Sequence, residues 1–572
     1  MNGLLSTSGG LGSVASGRLS RRAVMRFGIL GFGALGGGLL LAACGADTGA
    51  GPETAPTPTT AAPAPETPAA GVSPTPQPSP VAAGPVRGGE LIFALSSDPP
   101  NLDPHISTGT AARTVKLQLY NGLLRYVEDG TFVPDLAEAW QITEDGLEYT
   151  FPLKQNVQFH DGSPLTARDV EATVRRIRDE SVGATRRVEL ANISEVTIVD
   201  DHTVRFTLQN PHAALLAYLA LPECAILSSD FLARGGDPNT EVIGTGPFTF
   251  VSREPGVRIE VARNENYHHE GLPYLDRIIF IPYPDENTRM SAVRGGDAQM
   301  ADYVPWKDMS SVEQDPDLKL ETAQNSAFMC VIYNVRQRPF DDPRVRVALS
   351  YAYDRKAIID AAFFGRAIPM TGGVIPPQSW AYNQDLEGTY TYDPDRAKRL
   401  LAEAGYPNGF SVTLLATSQY GMHQSTAEVV QNNLQAIGID CKLELYDWQT
   451  VVQKHSKGEY QFRVHGLALE ILDPDALTNF FQTGSPFHKS TGFSDEEIDR
   501  LLKEGRTIQD EAERRKIYNQ LERRLLELAP WSFLVYRQDG DALRRNVHGY
   551  KRLPGGLGFI AGVMLQHVWI ER

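Results

Sequence analysis

The 572 residues hold only four cysteines, Cys44, Cys224, Cys330 and Cys441, and no CxxC pair. Thiol-disulfide exchange and cysteine-ligated zinc are therefore without sequence support. Basic charge is also in deficit: 54 lysines and arginines face 70 aspartates and glutamates, a formal net charge of -16. An acidic surface argues against nucleic acid and anionic membrane as partners. The motifs GxSxG, HExxH and GxxxxGK followed by S or T are missing, and an excess of carboxylates does not by itself identify a glycosidase pair. No enzyme, cofactor or metal site is expected. Apart from Phe27 to Ala43, no apolar run approaches eighteen residues, so no further membrane span is indicated.

That single run of seventeen residues ends in Leu41-Ala42-Ala43-Cys44, which resembles a bacterial lipobox. Ser20-Arg21-Arg22-Ala23-Val24-Met25-Arg26 precedes it, and no acidic residue occurs before Cys44; the combination resembles a twin-arginine export signal. Six glycines within the run weaken it as a permanent helix. Residues 1–43 are expected to be a removable export signal and Cys44 the lipid attachment site. This makes the protein extracytoplasmic and attached to membrane through lipid alone. The signal takes Arg18, Arg21, Arg22 and Arg26 with it, leaving 50 basic against 70 acidic residues. Gly31-Phe32-Gly33-Ala34-Leu35-Gly36 matches GxGxxG by chance, since no strand precedes it. With Cys44 assigned to lipid, one disulfide plus a free thiol and three buried thiols both remain open for the other cysteines.

From Gly51 to Pro85 the chain carries eleven prolines and two charges, Glu53 and Glu66. Such a stretch cannot bury a core, so residues 44–87 form an extended linker, reaching about 100 Å at 3.1 Å per residue. The body from Gly88 mixes strand and helix patterns. Strands are expected at Gly89 to Ala94, Leu147 to Leu153, Ile243 to Val251, Arg258 to Ala262 and Arg277 to Tyr283. A hairpin is expected from Val196 to Leu208, turning at Asp200-Asp201-His202. Helices are expected at Thr166 to Arg178, at Asp354 to Phe364 and from Asp393-Pro394 to Ala404. Ser411 to Thr417, an apolar helical stripe through Ala427, Val430 and Leu434, and Lys442 to Tyr446 read as βαβ. Ser494 with Glu497 reads as a capping box opening helix toward Leu528.

Tyr120-Asn121-Gly122-Leu123-Leu124, Pro134-Asp135-Leu136-Ala137-Glu138-Ala139-Trp140 and Phe159-His160-Asp161-Gly162-Ser163-Pro164-Leu165-Thr166-Ala167 resemble the extracellular solute-binding proteins of family 5, dipeptide- and oligopeptide-binding lipoproteins of ABC transporters. Gly244-Thr245-Gly246-Pro247-Phe248, Asn264-Glu265-Asn266-Tyr267, Asp341-Asp342-Pro343-Arg344 and Leu401-Ala402-Glu403-Ala404-Gly405-Tyr406 continue the resemblance in order. It implies an α/β, two-lobed periplasmic-binding-protein-like fold of the large, three-subdomain type with hinge strands. Lobe I is expected at residues 88–302 plus 531–572 and lobe II at 303–530, with crossings near Asp302-Tyr303 and Trp531. The implied partners are a small solute, peptide-like by preference, and an ABC permease with its ATPase subunits, the receptor itself acting as a monomer. An oligosaccharide or metal chelate in the same fold is the alternative, ahead of an exported chaperone or hydrolase.

The resemblance also carries a site. Glu470, four residues before Pro474, falls where peptide-binding members hold an acid for the ligand α-amino group, although those members usually have Asp there and an aromatic at the position of Leu467. Trp448 and Tyr536 fall on positions that often line the cleft, and Trp380 and Asp473 complete the candidates, Asp473 reading equally as a helix cap before Pro474. Arg463, Arg366 and Arg537 are the candidates for a ligand carboxylate. His160 beside Asp161 reads as a turn residue, and His268-His269 as side chains that point apart with no third ligand at suitable spacing.

Overall fold

The computed structural model describes residues 84–107, 109–323 and 327–572; the export signal, Cys44 and the linker up to residue 83 lie outside the described residues. The described residues belong to one compact unit. No described helix is long and apolar enough to cross a membrane.

The strand expected at the start of the body forms as Glu90–Leu95. Leu91, Phe93, Ala94 and Leu95 are all buried, the near-continuous apolar reading of a strand covered on both faces. It pairs in parallel with Arg277–Pro282 on one side and Met300–Ala301 on the other. Arg258–Arg263 and Phe248–Glu254 extend the first side antiparallel, while Gly540–Arg544 and Leu318–Thr322 extend the second, giving seven strands. A second, six-stranded sheet is centred on Ala327–Tyr333, every residue of which is buried. Its antiparallel neighbours are Phe462–Ala468 and Trp531–Arg537.

The βαβ reading holds in this second sheet. Ser411–Thr417 and Asp440–Tyr446 are adjacent and parallel, joined by helix Gly421–Ala436. The expected hairpin, Ile193–Asp200 with Thr203–Leu208, sits in a separate four-stranded sheet. There Val204, Phe206 and Leu208 point inward at every second position. Helix Ala167–Arg178 starts at a capping box between Thr166 and Asp169, which satisfies two end-of-helix donors reciprocally. Helix Pro394–Glu403 starts on Asp393, whose side chain accepts from the Arg396 N–H.

Two expectations change, and two further features become definite. The strand at Ile243 starts only at Phe248, because Gly244 and Gly246 lie so close to the Leu119 and Gln118 carbonyls that any side chain there would collide with backbone. The cap of helix Glu496–Thr507 is Asp495, accepting from the Ile498 N–H at 3.1 Å, rather than Ser494. A second helix, Glu511–Leu528, then restarts on Asp510. The chain changes sheet between Thr322 and Ala327 and again between Arg537 and Gly540. After Tyr303 it still contributes helix Trp306–Gln314 and the edge strand Leu318–Thr322 to the first-sheet side, and Trp531–Arg537 is an unbroken buried strand of the second. Finally, Cys224, Cys330 and Cys441 are all buried and free, and burial pushes the Cys441 thiol up to about 12.

Candidate functional site

A cavity of about 950 Å³ opens between the two large sheets, within the range of small-molecule sites. One wall comes from the loop after Glu90–Leu95 and from helix Thr110–Leu119; the other comes from the ends of the second-sheet strands and the helices that follow them.

Arg113 occupies a helix that is buried at eight of its ten positions. A guanidinium in such surroundings needs acceptors for its donors, and here they are carboxylates. Arg113 Nε donates to Glu223 Oε1 at 2.5 Å and Nη2 donates to Glu470 Oε1 at 2.7 Å. Arg186 Nη2 donates to the other oxygen of Glu470, Nη1 donates to Glu189 Oε1 at 3.2 Å, and Nε lies 3.7 Å from Glu223 Oε2. Burial acts to raise the Glu470 carboxyl, but Arg186 and Arg113 outweigh it and hold the group down to about 2. Three carboxylates thus surround two guanidiniums, and the buried Lys116 ammonium, one helical turn beyond Arg113, interacts with Glu223 as well.

The opposite wall is aromatic. Trp448 opens helix Trp448–Lys457 and stacks on His465 at 5.5 Å between centroids, with Tyr420 and His423 edge-on at 5.7 and 5.6 Å. Burial first, then Arg537 and Arg463, hold His423 well below the usual imidazole range, so it is neutral at pH 7. Arg537, buried at the end of its strand, lies over Tyr303 and Trp306 at 5.8 and 5.9 Å. Its Nε is 3.3 Å from Asp539 Oδ1, its Nη1 is 3.8 Å from the soft Met329 sulfur, and the Tyr303 hydroxyl is a further side-chain partner. Among the described residues no other carboxylate pairs with it, and it lines the cavity. A buried fork of donors with one carboxylate at its Nε can take a second carboxylate.

Of the expected site residues, Glu470 and Trp448 line this cavity. Tyr536 does not: strand residues alternate faces, so Arg537 faces the large cavity while Tyr536 lines a separate one of about 270 Å³ with Met370, Gly373 and Tyr382. Asp473 is taken up as the cap of the Pro474–Leu477 turn and by Arg514, at 2.6 and 2.8 Å. Trp380 packs edge-on against Tyr518 and lies 5.0 Å from the Arg514 guanidinium. Neither Asp473 nor Trp380 lines the cavity. Of the three arginine candidates, Arg463 is fully buried with Nη2 2.7 Å from His465 Nδ1, and Arg366 pairs with Glu313. Only Arg537 reaches the cavity. Arg113 and Arg186 were missed; the available signal was an arginine set among small and apolar residues on every side of a helix, Thr110-Ala111-Ala112-Arg113-Thr114-Val115.

His160 behaves as a turn residue, with Nε2 donating to the Gly246 carbonyl at 3.1 Å. His268 and His269 do not point apart. Their rings are 4.4 Å apart and both approach Asp135 Oδ1.

The family model described as bacterial extracellular solute-binding proteins, family 5 Middle, matches residues 131–489. A glutathione-binding protein, GsiB, from Salmonella typhi is 32% identical over 475 residues, 81% of this chain and 92% of that one. Among solved structures, PBP AgaA from A. tumefacien R10, in complex with agropinic acid, is 40% identical with a TM-score of 0.79, covering 85% of this chain and 99% of that one. The periplasmic binding protein DppA from Helicobacter pylori, in complex with the peptide STSA, is 27% identical with a TM-score of 0.78 over the same shares.

Proposed function

Since this chain belongs to the bacterial extracellular solute-binding proteins of family 5, we propose that it is a lipid-anchored receptor that captures a small, peptide-like solute bearing a carboxylate and an ammonium and delivers it to an ABC permease. The observation that carries this reading is the pairing, in one cavity of about 950 Å³, of Arg537 with Nη donors free of carboxylate and an acidic cluster ending in Glu470. Arg537 takes the solute carboxylate. Glu470, the member of the cluster with Glu223, Glu189, Arg113 and Arg186 whose carboxylate lines the cavity, takes the ammonium. Trp448 and Tyr420 cover the apolar part. A relative named for binding glutathione supports a solute of this kind, and one solved with agropinic acid supports an acidic solute.

Lobes that follow sheet membership would divide after strand Leu318–Thr322 and again between strands Trp531–Arg537 and Gly540–Arg544, so that the lobes move about these two passages between sheets. Glu470 follows a second-sheet strand, whereas Arg113 lies on the first-sheet side, so their pair favours the closed arrangement. The chain works by capture and release, as a monomer, tethered through Cys44. Calorimetry with glutathione and with free dipeptides tests the reading: one-to-one binding that disappears on capping both termini is expected, and equal binding of a neutral oligosaccharide would overturn it.

A further inference from the structure

His268 and His269 are neighbours in sequence, yet both rings aim at one carboxylate more than a hundred residues away. His268 Nε2 lies 3.1 Å and His269 Nε2 lies 2.7 Å from Asp135 Oδ1, and donor atoms of the three side chains all fall within 4.8 Å of one another. The backbone builds this convergence. Asn264 closes a turn by accepting the Asn266 N–H on its side chain at 3.0 Å and the Tyr267 N–H on its carbonyl at 3.3 Å. Tyr267 then packs against both imidazoles at 4.6 and 5.2 Å. The Asp135 and His268 side chains are each 1% exposed and that of His269 is 20% exposed.

Two imidazole nitrogens and a carboxylate oxygen are ligands suited to a borderline divalent cation, and donors 2.0–2.2 Å from a tetrahedral centre stand about 3.3 Å apart. The contacts to Asp135 are already close to that spacing. The second Asp135 oxygen accepts from Asn121 Nδ2 at 2.8 Å, the outer hydrogen bond that orients a ligating carboxylate. Two groups oppose a cation here: Arg125 Nε, 3.9 Å from Asp135 Oδ1, and the ammonium of Lys154.

We infer that Asp135, His268 and His269 form a binding site for one divalent cation of the zinc class, separate from the solute cavity, which none of the three lines. Without metal, each Nε2–H donates to Asp135. On binding, each neutral imidazole carries its proton on Nδ1 instead and offers the Nε2 lone pair, so no proton is released. The opposing charges of Arg125 and Lys154 lower the affinity for the cation. The cation clamps the segment around Asp135 to the turn after Asn264, both on the first-sheet side.

The test uses the full chain, purified without a histidine tag, stripped with EDTA and titrated with zinc sulfate, read by calorimetry, native mass spectrometry and thermal unfolding. One zinc ion per chain and a rise of several degrees in the unfolding midpoint are expected, with no response to magnesium. His268→Gln with His269→Gln together should weaken zinc binding at least tenfold. His269→Gln alone, at the partly exposed position, keeps the test usable if the double variant does not fold. A wild-type chain that takes up no zinc, or a His269→Gln chain that binds it with unchanged stoichiometry and affinity, overturns the site.

Discussion

Glu470 Oε1 accepts a hydrogen bond from Arg113 Nη2 at 2.7 Å, joining a residue at the end of one sheet to a helix that packs with the other. Both lie on the cavity wall. Removing the Glu470 charge leaves two buried guanidiniums short of a partner, although Glu223 and Glu189 remain. Glu470→Gln is expected to lower the unfolding free energy by about 2 kcal/mol at pH 7. It should also weaken a free-amine peptide at least tenfold more than its N-acetylated form. Calorimetry on both ligands checks this, and equal losses would remove Glu470 from the ammonium's contacts.

The same pair has a pH signature. The folded-state pKa of Glu470 is depressed from 4.5 to about 2, so its contribution to stability is fully present above pH 4.5 and is lost as pH falls toward 2. Wild-type stability minus that of Glu470→Gln should shrink across that window in equilibrium denaturation.

Arg537 is predicted to read the solute carboxylate. Arg537→Gln should cost about a hundredfold in affinity for a peptide with a free C-terminus, equivalent to about 2.7 kcal/mol. It should change affinity for the C-terminally amidated peptide little. Equal loss for both would place Arg537 in packing alone.

Glu522 titrates in the opposite sense. It is 1% exposed, and its Oε1 accepts the Ile375 N–H at 2.8 Å. Burial pushes its carboxyl up to about 8 against those backbone hydrogen bonds. Between pH 4.5 and 8 the folded state holds a proton that the unfolded chain has lost, so stability falls as pH rises, by up to about 1.4 kcal/mol per unit. Glu522→Gln is isosteric with the protonated acid and should flatten this slope, gaining stability over wild type at pH 8 but not at pH 4.5. Thermal unfolding at the two values measures it.

Cys44→Ala is expected to release the protein from the membrane fraction while leaving solute affinity unchanged. Fractionation followed by calorimetry checks both halves, and an altered affinity would give Cys44 a role beyond the tether.

Local order was readable from local pattern. Val204, Phe206 and Leu208 alternate, and Asp393-Pro394 announces a helix start, because those features depend on residues a few positions apart. Glu470 and Trp448 were legible through their place in a recognisable run of residues. Arg113 and Arg186 were not, since their meaning comes from Glu470, 357 and 284 residues away. Tyr536 was assigned the cavity because the strand's facing could not be known without its neighbours, and that facing gives the cavity to Arg537. The convergence of His268 and His269 depends on the turn closed by Asn264 and on a carboxylate from a distant segment, neither of which adjacency in sequence reveals.

The central claim, a receptor for a small solute carrying both charges, is tested most directly by native mass spectrometry of the full chain purified from a bacterial host, beside the Arg537→Gln variant. A single co-purified peptide-like acid in one-to-one ratio is expected on the wild-type chain and is expected to be absent from the variant. A uniform neutral oligosaccharide on both proteins would contradict it.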